Sequence, residues 1–260
     1  MPNGRLLQMV GPGSERGMRV LVCLVAIGLA LPGVGHAAAP PACSTPASLT
    51  LTTRPLPHVA AALAGGGRLD VLAIGSAGLL GGRGGPDGSM PDRLLQTLHA
   101  GAPALQTHLT LRAARAESAG DMLATLRREL AMHPYQLVLW QTGTVEALRR
   151  QPPEQFRRTL ADGAAAAAAA GVDLVLIDLP FSRLLARSAD LDPYRAALTE
   201  VALRPGVMLF PRYALMRAWV DDGKIDLEQS PRPERRRTAD RLRTCLGQVL
   251  AHMLAPSAPP

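Results

Sequence analysis

Four continuous apolar runs, each of strand length and each separated from the next by helix-like sequence, constrain this chain more than anything else in it. They are "LDVLAI" (69–74), "QLVLWQ" (136–141), "VDLVLIDLP" (172–180) and "GVMLFP" (206–211). A strand that alternates apolar and polar residues can rest one face in water; a run with almost no polar face must be covered on both sides. A fifth segment, "LQTHLTLRA" (105–113), does alternate and reads as a strand with one wetter face. The stretches between them have helical signatures. "PHVAAALA" (57–64) ends at Gly65–Gly67, and Ser89 with Asp92 three residues on marks a helix start. "SAGDMLATLRRELAMH" (118–133) is amphipathic, and "PPEQFRRTLADGAAAAAAAG" (152–171) opens on proline and closes on glycine. Its alanine tract, 164–170, reads as a helix lying close on a sheet, alanine being the best helix former. Helices are also expected at 191–202, 212–223 and 233–254. Strands alternating with helices give a mostly parallel sheet between two helical layers. The expected fold class is therefore α/β, a three-layer α/β/α sandwich on a roughly five-stranded sheet of doubly wound, flavodoxin-like type.

The first 39 residues stand apart from this pattern. Arg16 and Arg19 precede a short apolar run, Val20 to Leu31, and small residues near Ala37–Ala39 offer a cleavage site, the pattern of a secretory signal peptide. The run is too short for a comfortable span, so no stable membrane span is expected after cleavage, whether Met1 or Met18 is the start. Residues 40–56 read as an extended, proline- and threonine-rich lead-in, and 57–260 as the globular domain. With export, Cys23 leaves with the signal, and Cys43 and Cys245 remain to pair in an oxidising compartment, periplasmic or extracellular. The charge of +7 comes from 28 Lys+Arg against 21 Asp+Glu. With aromatics at 3% and no recognised motif, nucleic acid is not an expected partner. No phosphate-binding glycine motif or metal-ligand spacing is present, so no cofactor and no metal are expected. The sequence leaves the oligomeric state open.

Chemistry concentrates where "DVLAIGSAGLLGG" (70–82) turns from strand into a glycine-rich loop, since ligands of open α/β sheets sit at the carboxyl ends of the strands. "LDVLAIGSAG", "MPDRLLQTL", "ESAGDMLATL", "LVLWQTGT" and "YALMRAWVDDG" together resemble blocks of the SGNH/GDSL hydrolases, in a secreted bacterial branch, over about residues 57–255. That resemblance implies ester hydrolysis by a serine, with a histidine base oriented by an aspartate. It also implies an oxyanion hole built from the serine amide, a glycine amide and an asparagine side chain.

Aligned by position, Gly75 and Ser76 fill the first two places of the nucleophile turn and Ala77 the serine's place. The second-block glycine falls at Arg115 or Ala116. Val145 follows Gly143–Thr144 where asparagine belongs. Glu234 and Arg237 stand for the aspartate and histidine, or in another register Asp226 to Gln229 does, without a histidine. The expectation is a hydrolase-like protein with no intact catalytic set, a pseudoenzyme that binds a ligand or partner in exopolysaccharide or envelope metabolism. The alternative is an active esterase or glycan deacetylase using non-standard residues, with Ser76 as fallback nucleophile.

Gly75, Ser76, Gly143 and Thr144 are the candidate ligand contacts. Arg115 and Arg237 would convert an ester pocket into an anion pocket for an acidic glycan or anionic small molecule. Glu146 and Asp178 are the acids nearest the crevice, and their plain readings are a first-turn helix charge and a loop aspartate. The histidines His58, His99, His108, His133 and His252 all read as surface or structurally satisfied residues.

Overall fold

The computed structural model describes residues 43–50, 55–82 and 84–255. The expected signal segment, 1–39, lies outside them. Helix α1 (Pro57–Ala64) leads into strand β1 (Arg68–Ser76), followed by α2 (Met90–Gly101), β2 (Gln106–Ala114), α3 (Ala119–Met132) and β3 (Leu137–Gln141). Then come α4 (Thr144–Leu148), α5 (Pro153–Ala169), β4 (Asp173–Ile177), α6 (Arg183–Ser188), α7 (Asp192–Val201), β5 (Val207–Phe210), α8 (Arg212–Asp221) and α9 (Arg235–Leu254). The five strands form one sheet in the order β2-β1-β3-β4-β5, every pairing parallel. The fold class is the three-layer α/β/α sandwich expected from the apolar runs.

Alternation within the central strands builds two cores at once. Leu137 and Leu139 of β3 enter one layer with α1, α2, α8 and α9. Val138 and Trp140 enter the other, with α3, α5 and α7. Trp140 is fully buried, and α5 crosses it at Gly163, where an added Cβ would lie 2.2 Å from the indole Cζ3. Ala164 and Ala167, one and four residues further on, are also buried. The alanine tract is thus helical and lays Ala164 and Ala167 on the sheet, while Ala165 and Ala168 to Ala170 face solvent.

The cap read from sequence at Ser89 is present, and a second one closes the start of α3. Ser89 Oγ accepts the Asp92 amide at 3.1 Å, and Ser118 forms a reciprocal capping box with Asp121. One expectation needs correcting. The described part of the lead-in is not extended throughout: Ala47–Leu49 form a 3-10 turn, because Pro46 sets the entry and Thr50 closes it with both its amide and its hydroxyl on Ala47 O. This lead-in is also fastened to the domain. Cys43 is disulfide-bonded to Cys245 of α9, and Ser44 O accepts the Trp219 indole N–H at 3.2 Å. The segment 144–148 is the short helix α4, with Glu146 in its first turn. It starts on the left-handed Gly143 (φ 98°) rather than on a Ser, Thr or Asp cap, so sequence gave no start signal.

Candidate functional site

β1 and β3 run side by side with Gly75 opposite Gln141, so their carboxyl ends deliver the two loops of the site together. Ser76 is the last residue of β1 and the cap of a 3-10 turn, Ala77–Leu79. Its Oγ accepts two hydrogen bonds, from Gln141 Nε2 at 2.7 Å and from the Gly78 amide at 3.4 Å. Both partners are donors, and among the described residues no side chain or carbonyl accepts the hydroxyl proton. A serine becomes a nucleophile only when a base takes that proton, so this arrangement orients Ser76 without activating it.

A small hollow beside Ser76 is lined by Glu117, Met122, Gln141, Thr142, Gly143, Thr144, Val145 and Glu146. It holds about 10 Å³, roughly the space of one water. The isopropyl of Val145 forms part of its wall where the resemblance calls for an asparagine amide. Gly143 cannot turn its N–H outward, because it donates to Glu146 Oε2 at 3.0 Å. Glu146 is buried, and its other oxygen accepts the Ala119 amide at 2.6 Å. It is thus a clamp between the start of α3 and the turn after β3, in keeping with the plainer of its two readings.

The site brings together Gly75, Ser76, Gly143, Thr144 and Val145, on facing loops, with Ala77 half-buried in the turn after Ser76. It does not gather the rest. Arg115 and Ala116 are exposed and do not line the hollow. Ala116 nevertheless adopts a left-handed backbone (φ 55°), the conformation glycine adopts without strain, at the position where the resemblance expects that glycine. Arg149 Nη2 donates to its carbonyl at 3.2 Å and steadies the turn.

Glu234 and Arg237 are exposed at the start of α9. Neither the register through Glu234 nor that through Asp226 brings a base to Ser76. Asp226 instead accepts Arg183 Nη2 at 2.8 Å and the amides of Glu228 and Gln229, and Glu228 accepts the Ser182 hydroxyl and the Arg183 amide. These bonds, that from Ser182 first for Glu228 and that from Arg183 first for Asp226, hold both carboxyls below the usual carboxylate range.

Two groups escaped the sequence reading. Gln141 closes a run that looks apolar throughout, yet its amide is the nearest partner of Ser76. The only clue in sequence was a polar residue at the carboxyl end of a covered strand. Glu117 lines the hollow, and burial, reinforced by the charge of Asp121, pushes its carboxyl up.

At the ends of β4 and β5 a separate charge cluster forms. Asp178 is buried and accepts Arg195 Nε and Nη2, both at 3.3 Å, and the Arg195 guanidinium stacks 3.9 Å over the Tyr213 ring. Burial outweighs those contacts and raises the Asp178 carboxyl. Arg212 beside it has Nε and Nη1 buried without partners, and burial pushes its guanidinium down to about 10.

The histidines lie elsewhere. His58 is in α1, His99 Nδ1 meets Leu105 O at 3.2 Å, and His252 is in the last turn of α9. His108 and His133 belong to a groove described below. Among the described residues no group of three or more metal-binding side chains is assembled, and no helix is long and apolar enough to cross a membrane.

With this geometry in hand, the chain was compared with known proteins. The model of the Non-GDSL lipase-like family matches residues 42–259. Among solved structures, an acetyl-xylooligosaccharide esterase variant from Geobacillus Stearmophilus aligns with a TM-score of 0.57 at 13% identity, over 72% of this chain and 94% of that one. A protein titled lipolytic and of the G-D-S-L family, from Desulfitobacterium hafniense DCB-2, aligns with a TM-score of 0.52 at 15% identity, over 71% and 98%. An alpha/beta hydrolase from the metagenome of Lake Arreo, Spain, gives 0.51 at 17%, over 70% and 96%. At these identities the likeness is one of fold. No protein with a curated description matches.

Proposed function

The chain belongs to the Non-GDSL lipase-like family, and so to the SGNH/GDSL hydrolases, and from that premise we propose that it is a non-catalytic member that binds a ligand or partner outside the cytoplasm. The observation that carries this reading is the protonation logic at Ser76. Its oxygen receives two donors, no base among the described residues accepts its proton, and no imidazole lines the hollow. Ala77 takes the family's serine position, and Val145 removes the side-chain donor of the oxyanion hole. Loss of one such donor typically costs about 3 kcal/mol of transition-state stabilisation. Loss of base and nucleophile together removes most of the remaining rate.

The signal-like pattern of residues 1–39 and the Cys43–Cys245 bridge support export, with 57–260 as the binding domain and 40–56 as the segment stapled to it. A role in exopolysaccharide or envelope metabolism suits a ligand bearing acidic groups, an acidic glycan or a small anion. Arg115 and Arg237, both exposed and without a recorded intramolecular partner, are available to such an anion.

One observation favours a second reading, that of an active esterase or glycan deacetylase. Glu117, its carboxyl raised by burial, shares the hollow with Ser76 and is the one acid there not committed to backbone amides. In that reading it would serve as the base. The experiment that separates the two is turnover of 4-nitrophenyl acetate by the purified protein and by Ser76→Ala and Glu117→Gln. The non-catalytic reading expects the same background rate from all three. A rate that falls at least about tenfold in both variants would establish the esterase instead.

A further inference from the structure

One face of β2 packs Leu109, Leu111 and Ala113 against the core. The opposite face carries His108, Thr110 and Arg112, and β1 beside it presents Arg68 and Asp70 at its amino end. With His133, Tyr135 and Gln136 from the turn between α3 and β3, these residues line a groove of about 490 Å³. That volume lies within the roughly 300–1,000 Å³ of small-molecule sites. The groove begins at the amino end of the sheet, away from Ser76.

The polar groups here have an uneven balance. Asp70 Oδ2 accepts Arg68 Nε, and Glu129 accepts Arg112 Nε at 2.6 Å and the Tyr135 hydroxyl at 2.9 Å. Gln136 Oε1 accepts the Asp70 amide at 2.7 Å. Each guanidinium is therefore held by its inner edge, with its charge shared by a carboxylate behind it. Most of the groups left facing the groove can donate: the outer nitrogens of Arg68, Arg112 Nη2 (its Nη1 meets Leu111 O at 3.4 Å), the Gln136 amide, the Thr110 hydroxyl and one ring N–H each of His108 and His133.

The remaining acceptor, Asp70 Oδ1, is buried without a partner, 3.7 Å from His108 Nδ1. A small swing of the ring brings Nδ1–H onto it and leaves Nε2 to the groove. A buried orphan acceptor behind an exposed imidazole is expected of a site that is completed by its ligand.

We propose that this groove binds a segment of an acidic oligosaccharide, whose carboxylate or sulfate groups are taken by Arg68, His108 and Arg112. Surplus donors call for a ligand rich in acceptors. His108 and Arg112 are four residues apart on one strand, about 13 Å, so the ligand is extended and not a single ion. Tyr135 is buried, which leaves no exposed Phe, Tyr or Trp ring in the lining on which a nucleic-acid base would stack. The inference rests on the binding role proposed above and is independent of whether Ser76 is silent.

Isothermal titration of the protein with a short oligogalacturonate and with a sulfated oligosaccharide tests it, against a neutral cello-oligosaccharide, inorganic phosphate and a single-stranded oligonucleotide. The protein and Ser76→Ala are expected to bind one of the two acidic sugars equally and to ignore the neutral one. Arg68→Gln and His108→Gln are expected to weaken binding about tenfold or more. The His108 side chain is mostly exposed, 63%, so the melting temperature of His108→Gln should hold, whereas Arg68→Gln also removes the partner of the buried Asp70 carboxylate and should lower it. The His108 ring resonance of the unaltered protein should shift on titration, a readout that does not depend on any variant folding. No binding of either acidic sugar, undiminished binding in both variants, an unmoved His108 resonance, or equal competition by phosphate or the oligonucleotide would each overturn the proposal. A Ser76→Ala change in affinity would place the ligand in the crevice instead.

Discussion

The two ends of this sheet hold comparable sets of polar side chains and use them in opposite ways. At the carboxyl ends of β1 and β3 the groups face one another. Gln141 and Gly78 both donate to Ser76, Glu146 accepts the amides of Gly143 and Ala119, and the space left is about 10 Å³. At the amino end of β1 and along β2 the carboxylates face inward and the donors face a groove of about 490 Å³. The lesson is that a hydrolase scaffold marks where a crevice should be, but the hydrogen-bond balance decides whether anything can happen there. The end that family resemblance points to has little free space and one stranded hydroxyl, Thr142 Oγ1, while the end it does not mention has a roomy groove with donors along it.

The harshest way to break this comparison is to disturb the sheet both ends share. Gly163→Leu forces a side chain into Trp140, and we expect a loss of at least about 3 kcal/mol, by urea denaturation, with both ends lost together. Cys43→Ser with Cys245→Ser should cost about 2–5 kcal/mol by the same measurement while leaving the groove's affinity unchanged. Smaller and more selective is Glu146→Ala. Stranding the buried amides of Gly143 and Ala119 should cost about 2–3 kcal/mol, and hydrogen exchange should quicken at those amides but not in β2.

Acid titration sharpens the contrast, because two glutamates, one at each end, shift in opposite directions. Glu129 is buried, which alone would raise its carboxyl, but hydrogen bonds from Arg112 and Tyr135 hold it below the usual range. Its contribution to stability is present above the unfolded value near 4.5 and is lost as pH falls through the folded value. Glu117 is raised by burial, so its contribution is present below that value and is lost as pH rises through the folded one. Urea midpoints from pH 3 to 7 should therefore show Glu129→Gln as destabilising near neutrality with the deficit closing in acid. Glu117→Gln should be neutral in acid and slightly stabilising near neutrality. The smallest effect expected is Ser76→Ala, about 1 kcal/mol or less from the lost Gln141 contact.

The architecture was legible because its signals are local and periodic. "LVLWQ" and "DLVLI" have no face to expose, and Ser89 with Asp92 announces its helix by spacing alone. The resemblance singled out Gly75–Ser76 and Gly143–Thr144, and the loops that carry them lie side by side at the ends of β1 and β3. What was hidden depends on side chains brought together from distant segments. Gln141 looked like the end of an apolar run until β3 was paired with β1. Asp70, His108, Glu129 and Tyr135 come from three strands and turns and one helix, and singly each reads as a surface charge or a satisfied histidine. Ala116 could not announce its left-handed backbone, since nothing in an alanine calls for one. The lead-in was misread as extended because prolines and threonines suit both an extended chain and a 3-10 turn.

The measurement that bears most directly on the central claim is the intact mass of the protein after long exposure to a fluorophosphonate, which captures any serine whose proton a neighbour can take. The account predicts an unmodified mass, because Ser76 only accepts hydrogen bonds. A single phosphonyl adduct, mapped to Ser76 and absent from Ser76→Ala, would contradict it.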